Sequence, residues 1–196
     1  SLGVILYQQG KHAEAIRYFQ SALEIDPNLA IPHGNLAIAF AEQDRFPEAI
    51  RHYRQSLRIK PDDLPGRHNL AVLLLRIGHI RESVDEHRHV LKRQAGYVPT
   101  LLSLATILSA CEDPEFRDGS EAVRIMESLC KRVGEEDPEL LSVLAMAYAE
   151  TEQFDKAVAT GEKALWRAKI KMLGKLVPQL QRELSLYKQA KPYRDR

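Results

Sequence analysis

The chain has 196 residues, 44% of them hydrophobic and 28% charged, and its 28 basic side chains nearly balance 27 acidic ones. That is an ordinary globular composition with enough apolar material for a core. No apolar run approaches the roughly 18 residues of a membrane span, no signal-peptide pattern opens the chain, and two cysteines exclude a disulfide scaffold.

In chain order, the first recognisable element carries Leu2 and Gly3, and both return at an interval of 34 residues: Leu36, Leu70 and Leu104, then Ala37, Ala71 and Ala105. Further series run Ala15, Ala49, Ser83; Phe19, Tyr53, His87; and Leu23, Leu57, Leu91. Pro27 and Pro61 keep the same spacing. A period this strict means one supersecondary unit copied end to end, so the expected fold is a stack of units. Leu2 and Gly3 stand at the seventh and eighth places of the unit, so the sequence reads as a fragment of something longer.

Each unit contains two helical periods. Leu36, Ala37, Phe40 and Ala41 form one apolar stripe; Ala49, Ile50, Tyr53 and Leu57 form a second. Pro47 suits the first turn of the second helix, and Pro61 stops it. Gly3, Ala37, Ala71 and Ala105 should face Ala15, Ala49 and Ser83, small residues that let antiparallel helices approach closely. Phe19 and Tyr53 should plug the gap toward the next unit. Gly10, Asp44 and Gly78 fall at the tight turns, where a positive φ is expected.

This pattern resembles the tetratricopeptide repeat. The resemblance implies an all-α, right-handed superhelical solenoid of antiparallel helix pairs. Its expected array spans residues 1–170: a partial unit over 1–29, then 30–63, 64–97, 98–137 and 138–170. Departures from the family pattern are His33, Arg67 and Leu101 where an aromatic often opens the repeat.

The fourth unit breaks the period. The alanine due at position 117 is Ala122, so five residues have entered near 112–120, and Asp113-Pro114 and Asp118-Gly119 predict a short ordered loop. Ala145, Tyr148, Ala157 and Ala164 restore the pattern, but Gly161 takes the aromatic's place. Leu173, Leu176, Val177, Leu180, Leu184 and Tyr187 then predict a capping helix over 171–190, broken near Gly174 and started by Pro178, with 191–196 as a tail.

The sequence contains no HExxH, GxSxG, P-loop or paired-cysteine zinc signature, and its seven histidines are scattered. Catalysis, a cofactor and a metal are therefore not expected. Cys111 and Cys130 read as buried thiols. Charge is divided: residues 112–162 carry 14 acidic and 5 basic side chains, and residues 167–196 carry 9 basic and 2 acidic. That division suits either mutually neutralising solvated faces or a basic patch for an acidic partner, and no motif points to nucleic acid.

Binding of a protein or peptide along the first helix of each unit is the leading expectation. Asn35 and Asn69 precede the same Leu-Ala pair, and a primary amide can pair with a peptide backbone whatever its sequence. Ile38, Glu42, His68, Val72, Arg76 and Thr106 complete the expected wall. The two asparagines resemble the asparagine ladder of O-linked N-acetylglucosamine transferases. Self-assembly through the N-terminal repeat face, giving a homo-oligomer, is the alternative. The stretch from Leu104 to Val123 and the ending ELSLYKQAKPYR also resemble the last repeats of bacterial proteins in which such an array follows a membrane glycosyltransferase region. That resemblance implies an extracytoplasmic accessory domain; without it the default location is cytoplasmic.

Overall fold

The computed structural model describes residues 2–134 and 136–194. These residues form eleven α-helices and one short 3-10 turn, grouped into two compact units, Ser1–Arg93 and Gln94–Arg196.

The first unit holds three helix pairs: α1 (Leu2–Gln8) with α2 (His12–Ile25), α3 (Ala30–Glu42) with α4 (Phe46–Ile59), and α5 (Leu64–Arg76) with α6 (Ile80–Arg93). The small residues sit at the contacts, as expected: Ala15, Ala37, Ala49, Ala71 and Ser83 are fully buried. Leu36 and Leu70 are buried beside them, each contributing about 1.5–3 kcal/mol of hydrophobic stabilisation. Phe19 belongs to one buried cluster with Leu36 and Phe40 of the following pair, and it has a second role. It lies under the first helix of its own pair, and a Cβ added at Gly3 would stand 2.4 Å from its ring. Gly3 is therefore a glycine because the larger aromatic needs that space.

The three turns share one geometry. Gly10 (φ +76°), Asp44 (φ +58°) and Gly78 (φ +81°) adopt the left-handed conformation, with Lys11, Arg45 and His79 donating back to the carbonyls of Leu6, Phe40 and Leu74. This Schellman-type closure satisfies carbonyls that the helix end leaves open. Asp44 does the glycine's work as one of the residues that tolerates the left-handed region.

The second unit contains α7 (Val98–Ala110), the 3-10 turn Pro114–Phe116, α8 (Gly119–Val133), α9 (Pro138–Glu150), α10 (Phe154–Ile170) and α11 (Val177–Tyr187). The inserted residues form an ordered loop. Asp118 donates its backbone N–H to Leu108 O and caps α8 through Glu121 N, while Arg117 reaches the carbonyls of Cys111 and Glu112. The α9–α10 turn repeats the first unit's closure with Glu152 at φ +60°, a position the glycine pattern did not flag. Cys111 and Cys130 are buried free thiols.

Gly161 shows how the missing aromatic is replaced. A Cβ there would meet Leu184 at 3.4 Å and the Tyr187 ring at 3.7 Å. Tyr187 is one of the largest fully buried side chains among the described residues, and it comes from α11. Pro178 lies in the first turn of α11, and Leu180 packs with Leu141, Ala164 and Ala168.

Candidate functional site

In the first unit the inner face of α3 and α5 encloses two adjoining cavities floored by Tyr53. One, of about 340 Å³, is lined by Ile38 and Glu42 of α3 and by Asn69, Val72 and Arg76 of α5. The other, of about 210 Å³, is lined by Asn35, Ile38, Ser56, Lys60, Asp63 and Asn69. Two glycines hold its floor low. Gly34 faces Ser56, whose hydroxyl donates to Ala30 O at 3.0 Å, and Gly66 leaves room for Asp63 to cap α5 by accepting from Gly66 N.

The two asparagines sit in equivalent places but have different partners. The Asn69 side chain is hydrogen-bonded to Tyr53, whose hydroxyl burial pushes up to about 12 against the hydrogen bond's opposite pull. Thirty-four residues before Tyr53 stands Phe19, which has no hydroxyl. Asn35 Nδ2 is accordingly buried with no hydrogen-bond partner among the described residues. Leaving such a donor unpaired costs about 1–3 kcal/mol.

Of the eight residues expected on the wall, Asn35, Ile38, Glu42, Asn69, Val72 and Arg76 gather around this groove. Glu42 accepts from the Tyr7 hydroxyl, and Arg76 pairs with Asp44 at 3.0 Å while covering the Phe46 ring. His68 lies elsewhere. Its ring sits 5.4 Å from that of His87 on α6, and burial lowers its pKa. Thr106 belongs to the second unit, where its hydroxyl donates to Leu102 O in its own helix.

The sequence reading missed a pair of inter-helix ties beside the groove. His33 Nε2 lies 3.1 Å from Pro27 O and its Nδ1 lies 2.9 Å from His52 Nδ1. Since a carbonyl only accepts, His33 donates from Nε2 and accepts at Nδ1 from His52. One period later Arg67 donates to Pro61 O at 3.2 Å and to Glu86 at 2.6 Å. Arg67 and Glu86 stand 34 residues after His33 and His52, so an ion pair replaces an imidazole pair. The signal was present in the interval. Burial, then the neighbouring His33 imidazole, pushes His52 down to about 4. His87 is also pushed down to about 4, by burial and then by His68.

The second unit has its own inner-face cavity, of about 210 Å³, between α7, α9 and α11, lined by Thr106, Ser142, Met146 and Gln179 together with Tyr193 of the tail. Below it Glu183 is 1% exposed and accepts from Ser142 and from Gln179, both at 2.8 Å.

Among the described residues no group of three or more metal-ligating side chains converges, and no helix is long and apolar enough to cross a membrane. No curated protein matches the chain in sequence. The tetratricopeptide repeat family model matches residues 1–62. A crystal structure of MamA has a TM-score of 0.74 at 16% identity, covering 88% of this chain and 97% of that one. The crystal structure of YrrB, described as a TPR protein with an unusual peptide-binding site, has a TM-score of 0.72 at 14% identity, with 90% and 88% covered. PilF of Pseudomonas aeruginosa has a TM-score of 0.67 at 16% identity, with 91% and 85% covered. The fold is that of the tetratricopeptide-repeat solenoids, and the first 62 residues match that family's sequence pattern.

Proposed function

We propose that the chain is a non-catalytic interaction scaffold whose first unit takes an extended peptide between α3 and α5. The observation that carries this reading is that Asn35, whose Nδ2 has no partner among the described residues, lines one cavity together with Asn69. Turning the Asn35 side chain brings that buried donor to the cavity, where a peptide carbonyl accepts from it. Ile38 and Val72 offer apolar contact, with Val72 43% exposed on the wall. Glu42 and Arg76 at one end, and Lys60 and Asp63 at the other, place both signs at each end, which suits a mixed segment over a highly charged one. The peptide-binding site named for YrrB belongs to that protein; it supports the reading by showing what this fold can carry.

The test is selection of peptides from a display library against the intact chain, followed by titration of the best binder. Val72→Arg, which changes an exposed wall position, is expected to weaken it about tenfold with helicity unchanged, a loss of about 1.4 kcal/mol. Affinity that survives Val72→Arg removes the groove from the account.

A further inference from the structure

The tail of the chain lies in the groove of the second unit. After α11, Ala190 adopts φ +54° and Lys191 N donates to Leu186 O at 3.0 Å, which reverses the chain. Tyr193 then lines the cavity with Thr106, Ser142, Val143, Met146, Leu176 and Gln179. Arg194 Nη1 donates to Tyr193 O at 2.8 Å, reaches Ser109 O at 3.5 Å, and stands 2.7 Å from Glu150 Oε2. Thr106 and Ser109 of α7 and Ser142, Met146 and Glu150 of α9 lie on the first helices of their pairs, the helices along which binding is expected. The segment therefore runs where a ligand of this face would run.

The Glu150 carboxylate is the charged anchor. Arg117 from the inserted loop donates to its Oε1 at 2.9 Å, and both side chains are mostly buried. Its Oε2 is ion-paired with Arg194 Nη1, a donor that it shares with the carbonyls of Tyr193 and Ser109. About 210 Å³ remains open beside Tyr193. The resident segment thus holds Oε2 through a shared donor and leaves part of the cavity unfilled. An occupant that devotes a donor to Oε2 alone and fills that space has an advantage over it.

We propose that this face is a binding surface for an extended segment bearing an aromatic residue followed by arginine, and that Tyr193–Arg194 is its resident, displaceable occupant. Tethering gives the tail an effective concentration on the order of millimolar, so a free segment of the same chemistry competes only if it binds better or if the tail is released. This claim concerns α7, α9 and α11 and stands apart from the Asn35–Asn69 groove, so either can fail alone.

The experiment uses the full chain and a fluorescently labelled peptide with the sequence of residues 190–196, AKPYRDR. Anisotropy titrations compare the wild-type chain with Tyr193→Ala/Arg194→Ala, and circular dichroism verifies that the variant keeps its helicity. The peptide is expected to bind the variant at least about tenfold more tightly than the wild type, and Glu150→Gln added to the variant is expected to remove that gain. In parallel, chymotrypsin is expected to cleave after Tyr193 faster in full-length Glu150→Gln than in the wild type. Equal affinity for both chains, or no binding to the variant up to about 1 mM, overturns the proposal, as does cleavage unaffected by Glu150→Gln.

Discussion

In the first unit the aromatic that fills the space between paired helices comes from inside the 34-residue period, as Phe19 and Tyr53. In the second it comes from outside, as Tyr187 of α11 packed over Gly161. The grooves differ in the same way. The first is lined by residues of its own helix pairs, and one amide nitrogen in it has no partner among the described residues. The second is lined partly by the chain's own tail. Where the period is kept, the unit is self-contained; where it is broken, the missing piece is supplied by a later segment.

The sharpest way to break this comparison is Tyr187→Ala. It removes a fully buried ring for which Gly161 offers no substitute, and about 3–5 kcal/mol of the second unit's stability should go with it, read as a lowered urea midpoint for residues 94–196. Unchanged stability would mean that α11 is not the missing plug.

A second contrast lies in titration, since all seven histidines fall within residues 1–93. His52 and His87 are both pushed from 6.5 down to about 4, chiefly by burial. Below their unfolded pKa the unfolded chain takes up protons that the folded one refuses. Their stabilising contribution is therefore complete above pH 6.5 and is lost as pH falls from 6.5 through 4. Residue-resolved hydrogen exchange across that range should show helices of the first unit loosening through this route. His87→Phe should blunt the effect. Both His87 ring nitrogens are buried without hydrogen-bond partners among the described residues, and the equivalent positions hold Phe19 and Tyr53. At neutral pH the substitution should stabilise the unit by about 1–3 kcal/mol; a lowered melting temperature would point to overpacking against α5.

The smallest expected effect sharpens the idea of interchangeable ties. Changing His33→Arg together with His52→Glu copies the Arg67–Glu86 pair one period upstream. It should leave stability within about 1 kcal/mol, whereas either change alone should destabilise. A double variant no better than the singles would separate the two ties.

The fold was legible because its demands are on size. Only a small residue fits at Ala15, Ala37 and Ala71, and such demands repeat visibly. The groove was legible as a face: Asn35, Ile38 and Glu42 share one side of α3, and Asn69, Val72 and Arg76 share one side of α5. His68 was misplaced because it sits at the edge of that face, where a buried imidazole on α6 offers it a partner. Thr106 has the right position, but its hydroxyl is satisfied by its own helix. Tyr187 was legible on the apolar face of the capping helix, but its place over Gly161 was not. Nor was that of Tyr193 in the groove, since both act through contacts far along the chain and outside any period. The bare amide of Asn35 needed the structure as well, because it follows from the hydroxyl that Phe19 lacks.

The groove amide admits a direct measurement: the urea midpoint of Asn35→Ala beside its affinity for a library-selected peptide. Removing an unpaired buried donor should leave the midpoint unchanged or raise it, while affinity falls about tenfold for one lost hydrogen bond. A lowered midpoint with unchanged affinity would make Asn35 a structural residue and contradict the proposed function.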